Sequence, residues 1–174
     1  MSIDTVWEKH VTDLTHLMFW AVIGHLVGDY LLQNKWMALN KNEKGWYGIG
    51  VCVTHSLIYS IAVALVVGIY LWGFAPYGVR VWAVVTMVFL THYPIDRWSL
   101  ADKWLKWIKG RRLDKFDSMY QESYSGYLSR PSNVSSIATQ QAFAAIVYTI
   151  ADNTTHILLM IAGFATLLYY GMLP

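Results

Sequence analysis

Four long apolar runs order this chain, at residues 16–33, 47–72, 79–96 and 137–170. An α-helix rises about 1.5 Å per residue, so about 20 residues span the hydrocarbon layer of a bilayer, and each run is near or above that length. A soluble helix of similar length would carry a stripe of lysines and glutamates on its outer face, and none of the four does. The pattern predicts an all-α membrane protein with four transmembrane helices in a bundle, residues 1–174 making a single polytopic membrane domain.

Between the third and fourth runs, the segment 97–136 has its own periodicity. Trp98, Ala101, Trp104, Leu105 and Ile108 recur at helical spacing, with Lys103, Lys106 and Lys109 on the complementary side. This predicts an amphipathic helix, lying in the headgroup plane or packed on the end of the bundle. The stretch 110–133 is polar, with Tyr120, Tyr124 and Tyr127 interspersed, and can be either an ordered cap or a loose loop.

Charge orients the chain. Lys35, Lys41, Lys44, Arg97, Lys103, Lys106, Lys109, Arg111, Arg112, Lys115 and Arg130 fall on one side of the predicted bundle, 11 of the 13 basic residues, whereas Lys9 and Arg80 fall on the other. By the positive-inside rule the linker 34–46 and the segment 97–136 are cytoplasmic and both termini are outside. Trp36, Trp46 and Trp98 near one rim, and Trp7, Trp72 and Trp82 near the other, suit the headgroup level. The N-terminus lacks a basic n-region and the first run contains His25 and Asp29, so that span is expected to be retained rather than cleaved.

Composition agrees: 56% of the 174 residues are hydrophobic, only 14% are charged and nine are tryptophan, outside the range of ordinary soluble domains. The single Cys52 excludes an internal disulfide. The bilayer is the expected partner, none is expected from nucleic acid, and homo-oligomerisation is left open.

The ionisable residues inside the runs carry the chemistry. They read His25 and Asp29 in the first, His55 in the second, His92 and Asp96 in the third, and Asp152 and His156 in the fourth. Three His/Asp pairs are four positions apart, which puts both side chains on one helix face about a turn apart. Counted from the cytoplasmic ends, all seven fit the cytoplasmic half of the bilayer. A carboxylate at that depth costs several kcal/mol, so such residues face the bundle interior, pair, and usually mark function.

Imidazole and carboxylate are the ligands of zinc, manganese and iron, and the seven residues are the candidate ligand set, with zinc first among the metals and one or two ions expected. Glu8, Glu43 and Glu122 lie outside the runs, which argues against a zinc-protease motif and a ferritin-like di-iron centre. Asp29, Asp96 and Asp152 are the candidate catalytic carboxylates, whichever of them does not ligate metal being available to take a proton. Gln33, Lys35 and Arg97, at the cytoplasmic mouth, are candidate substrate-binding residues; snorkelling anchors are the alternative for the two basic ones. Pro94 is expected to kink the third helix between His92 and Asp96. Asn153, Thr154 and Thr155 either orient ligands or bond backbone carbonyls of their own helix.

Over nearly the whole chain, the string from His25 to Met37, His55, the His92 to Arg97 string and the late Asp152 to His156 pair resemble a bacterial and phage membrane family, domain of unknown function 3307. More distantly the spacing is similar to that of inner-membrane proteins described as metal-dependent hydrolases. That last resemblance implies a metal-dependent hydrolase of the bacterial inner membrane and no particular substrate; the level of the site near the inner headgroups, beside basic residues, suggests action at the cytoplasmic leaflet on an amphiphilic or phosphorylated substrate, such as a lipid or polyprenyl phosphate. Two other readings stand beside it. One is a small membrane interaction protein with a structural metal; the other is a divalent-cation or proton transporter, disfavoured because the outer half of the bundle offers His16 and no acidic residue within a span.

Overall fold

The computed structural model describes residues 3–74, 76–109 and 134–174, and those residues are helical wherever they are regular. The helices are α1 (Ile3–Leu26), continued by a π-helical turn (Val27–Leu31), α2 (Lys35–Asn40), α3 (Gly45–Leu71), α4 (Tyr77–Arg97), α5 (Leu100–Lys109) and α6 (Val134–Tyr169). Four segments among the described residues are long and apolar enough to cross a membrane: Glu8–Leu31, Gly45–Leu71, Tyr77–Arg97 and Ala142–Tyr169. The described residues form two compact units, residues 1–98 with 156–174, and residues 99–155.

In the first unit α3 is the hub and packs against both α1 and α4. The α1 contact is close because Gly24 and Gly28, one turn apart, face it without side chains. A Cβ on Gly24 would lie 2.7 Å from Val63 Cα, and one on Gly28 would lie 2.6 Å from Tyr59 Cδ2. Small residues at this spacing let helix backbones approach where the surroundings offer no hydrophobic drive to association. The end of α6 closes the unit: Met160, Phe164 and Leu168 are buried with Leu17, Val67, Leu71, Val84 and Val88, and Gly163 faces Met87.

The outward faces are apolar. Phe19, Leu65, Ile69, Leu90 and Leu158 are all more than half exposed, while His25, His55, His92, Asp96 and His156 are buried. A water-soluble bundle would reverse this distribution; a bilayer favours it. Several hydroxyls within the spans bond inside their own helices: Thr54 Oγ1 donates to Gly50 O at 2.8 Å, Ser60 Oγ to Ser56 O at 2.6 Å and Thr91 Oγ1 to Met87 O at 3.0 Å.

Three local features differ from the sequence reading. The first helix begins well before residue 16, and within it the hydroxyls of Thr12 and Thr15 donate to the carbonyls of Glu8 and Val11 at 2.9 and 2.8 Å. Glu8 and Asp13 therefore lie within that candidate span, which corrects the expectations that Glu8 falls outside the spans and that the outer half holds no acidic residue there. The linker after span one contains a helix, α2, started by Asn34, whose Oδ1 accepts from Met37 N at 2.9 Å. The first span also ends in a π turn, closed by Leu32 N donating to Val27 O at 3.0 Å, with Asp29 at its centre. Pro94 lies inside α4, between His92 and Asp96, where the sequence places it.

The second unit contains α5 and the first part of α6. On α5, Ala101 and Leu105, one turn apart, are buried, while Trp104 and Trp107 are exposed. Lys106 Nζ pairs with Asp102 Oδ2 at 2.6 Å across one turn. The amphipathic helix expected from the sequence is present; the side chain of Ile108 and residues 110–133 lie outside the described residues. On α6, Asn153, Thr154 and Thr155 each donate to the carbonyl four residues back, at 2.7 to 2.8 Å, so the backbone-bonding alternative holds for all three.

Candidate metal centre

Three helices of the first unit deliver polar atoms to one point. The π turn carries Asp29, α3 carries His55, and α4 carries His92 and Asp96 one turn apart on its inner face. His55 is 0% exposed, His92 2% and Asp96 4%.

His55 Nε2 has four polar neighbours: Asp96 Oδ2 at 3.0 Å, His92 Nε2 at 3.1 Å, Gln33 Nε2 at 3.2 Å and Asp29 Oδ1 at 3.3 Å. An imidazole nitrogen holds either one proton or one lone pair, so it makes one good hydrogen bond. His92 Nε2 is crowded in the same way, with Asp96 Oδ2 at 3.1 Å and Asp29 Oδ1 at 3.9 Å as well as His55. Asp96 Oδ2 also takes Lys41 Nζ at 2.8 Å. On the other side of both rings, Nδ1 is buried with no hydrogen-bond partner among the described residues, and Asp29 Oδ1 accepts no hydrogen bond there either.

Hydrogen bonding alone does not satisfy this arrangement. With Nε2 protonated on both rings, the two N–H groups compete for Asp96 Oδ2 and both Nδ1 lone pairs are left over; with one Nε2–H donated to the other ring, that second ring's Nδ1–H is buried without an acceptor among the described residues. A cation among the two Nε2 atoms and the carboxylate oxygens would relieve the crowding at Nε2, with the protons then on Nδ1. Ligands about 2.0–2.1 Å from a tetrahedral ion are separated by edges of about 3.3–3.4 Å, and those of an octahedral ion by about 3.0 Å. The separations here run from 3.0 to 3.9 Å.

Among the described residues two groups could hold an ion: His55 with His92 and Asp96, and Asp29 with His92 and His156. They share His92. The two groups therefore overlap at that residue. His156 Nε2 lies 3.8 Å from Asp96 Oδ1, and its ring is 4.5 Å from that of His92.

The remaining candidates are placed differently. His25 belongs to neither group: its Nδ1 is 2.7 Å from Tyr59 Oη and 3.4 Å from Asp29 Oδ2. Tyr59 Oη donates to Met160 Sδ at 3.7 Å and so accepts from His25 Nδ1–H, which also faces the Asp29 carboxylate. Asp152 is half-buried in the second unit, four residues before His156, and is in neither group. Gln33 touches His55. Arg97 is turned to backbone, its Nη1 donating to Lys41 O at 3.3 Å and Glu43 O at 2.9 Å, and Lys35 begins α2 as an exposed side chain.

Two residues of the site were not among the sequence candidates. Tyr59 stacks on His92, ring centroids 3.7 Å apart and planes within 18°, and lies one turn after His55, a spacing that would have pointed to it. Lys41 reaches Asp96 across 55 residues of chain, a distance at which sequence pattern carries no signal.

Over residues 17–172 the chain matches the family described as "Protein of unknown function (DUF3307)". No curated protein and no solved structure matches it.

Proposed function

We propose that this chain, which belongs to the DUF3307 family, is a membrane-embedded metalloenzyme, a metal-dependent hydrolase working on an amphiphilic or phosphorylated substrate at the cytoplasmic leaflet. One observation carries the metal: two buried histidine nitrogens and a carboxylate oxygen stand 3.0 to 3.1 Å from one another, close to the edge lengths of a cation's coordination shell and with more polar neighbours than each nitrogen's single hydrogen bond can use. His55, His92, Asp96 and Asp29 are the ligands, with His156 completing the set. Zinc suits this nitrogen and oxygen donor set, manganese and iron following, and one ion fits the shared His92 better than two.

When bound, such an ion activates water at neutral pH and polarises an ester or phosphoryl oxygen. The chain's own residues do the rest. His25, held by Tyr59, orients Asp29 from behind, the arrangement by which outer groups fix metal ligands. Gln33 sits over His55 at the mouth. Asp152 keeps the role of proton carrier on its sequence spacing from His156. The excess of basic residues in the loops supports a single polytopic domain in the bacterial inner membrane, both termini periplasmic and the long loops cytoplasmic. The bilayer, a lipid or polyprenyl-phosphate-like substrate and copies of the chain itself are the partners proposed.

A structural metal in a small interaction protein is the second reading, favoured by the near-complete burial of His55, His92 and Asp96. Transport has less support, because a path from the site towards Asp13 would cross the buried core of Leu17, Val67, Val84, Val88 and Phe164.

Metal analysis of the detergent-purified chain, followed by hydrolysis assays on phosphorylated amphiphiles with and without chelator, tests the reading. About one transition metal per chain and chelator-sensitive turnover are expected. A folded, active, metal-free protein would sink it, and bound metal without turnover on any amphiphile favours the structural alternative.

A further inference from the structure

We infer that Lys41 is the anion-recognition residue of this site and that the ligand it selects carries a phosphate group. The inference rests on the proposed metal centre and narrows its substrate class.

Lys41 follows α2, on the strap that returns from span one to α3, outside the candidate spans. Its ammonium is 2.8 Å from Asp96 Oδ2, the oxygen that His55 and His92 also approach. The Lys41 side chain is 16% exposed and that of Asp96 2%, so the ammonium sits at the boundary between the buried cluster and the water at its mouth. The strap is fixed from below. Arg97 bonds the carbonyls of Lys41 and Glu43, and Gly48 lies so close to Glu43 O that no side chain fits between them. The three basic residues near the mouth therefore differ in what they offer. Arg97 is spent on backbone, Lys35 is an exposed side chain of α2, and Lys41 presents a positive charge at the ligand cluster.

Charge then decides what enters. Asp29 and Asp96 contribute two negative charges, a divalent ion two positive ones and Lys41 one more, leaving the centre with a net positive charge in a poorly screened setting. Asp96 Oδ2 holds the ammonium at 2.8 Å, and with a divalent ion on the same carboxylate one positive charge would be left in excess, which an anion lying against both can take up. Lysine binds phosphate as a compact point charge with three donors. The phosphate comes either from a lipid headgroup or from a soluble ester, and both present the same oxygens.

The test uses the full-length chain in detergent, loaded with zinc, with metal content measured on every sample. Titration calorimetry follows inorganic phosphate in one arm and dihexanoyl phosphatidic acid in the other. For Lys41→Gln, and for Lys41→Met should glutamine not fold, metal content is expected to stay at the wild-type level, phosphate affinity to fall about tenfold or more, and Lys41→Arg to recover most of it. Tighter binding of the lipid identifies a headgroup as the source, and tighter binding of inorganic phosphate a soluble ester. Equal phosphate affinity in wild type and the charge-free variants overturns the inference, as does a zinc-loaded wild type that binds neither probe. Loss of zinc from Lys41→Gln with recovery in Lys41→Arg also overturns it, since Lys41 would then serve the metal's own charge balance. A wild type that holds no zinc fails at the first measurement and counts against the metal centre itself.

Discussion

His55 and His92, on neighbouring helices, face each other Nε2 to Nε2 at 3.1 Å, with Asp96 Oδ2 within 3.0 and 3.1 Å of the two nitrogens. A neutral pair can share one proton across that contact, but each Nε2 has more polar neighbours than one hydrogen bond can use, and Nδ1 of both rings is buried without a partner among the described residues. A shared cation makes the approach favourable, and the contact ties α3 to α4 at the level of the π turn.

If these nitrogens bind an ion, removing either ring should empty the site. His55→Ala and His92→Ala are expected to lower metal affinity by more than the roughly 10–100-fold typical of losing a supporting residue. Mass-spectrometric metal analysis after dialysis against a weak chelator reads the change. Wild-type occupancy in both variants would exclude these residues as ligands.

His25 is expected to behave differently. It touches Asp29 and Tyr59 and belongs to neither donor group, so His25→Gln should keep the fold and retain the metal with affinity about 10–100-fold weaker. In a cobalt-substituted sample the visible absorption should shift while remaining visible. Its disappearance would make His25 a ligand.

Helix approach gives a prediction about stability. Gly28→Ala places a methyl group 2.6 Å from Tyr59 Cδ2, and Gly24→Ala places one 2.7 Å from Val63 Cα; each is expected to cost about 1–3 kcal/mol through overpacking. Gly50→Ala, with nothing within 4 Å of the new atom, is the control. Thermal unfolding in detergent followed by circular dichroism compares them, and equal midpoints for all three would mean the helices part easily.

Topology is open to direct measurement. Single cysteines introduced on a Cys52→Ala background at Lys44 and Lys103 should be shielded from an impermeant maleimide in intact cells, whereas one at Gly73 should be labelled. The opposite pattern would invert the proposed orientation and place the metal centre in the outer leaflet.

Much of this could be read from the chain alone. The apolar runs dictate four spanning helices because backbone polar groups in hydrocarbon must be satisfied within the segment, and the period of a helix puts His92 and Asp96 on one face whatever packs against it. The presence of His55 in α3 and His156 in α6 was legible for the same reason: an ionisable residue in an apolar run must find partners inside the bundle.

Packing decided the rest. The π turn at Val27–Leu31 has no simple sequence signature, yet it sets the direction of Asp29. His25 and Asp29 have the same spacing as His92 and Asp96, but α1 lies against Tyr59, so His25 is bound by that hydroxyl while His92 faces His55. Lys35, Lys41 and Arg97 were equivalent as charges near a membrane surface. Only the path of the strap after α2 turns Arg97 to the carbonyls of Lys41 and Glu43 and brings the Lys41 ammonium to Asp96. Periodicity fixes which face of a helix is polar, but the choice among polar neighbours depends on contacts between residues distant in sequence, which exist only once the helices have packed.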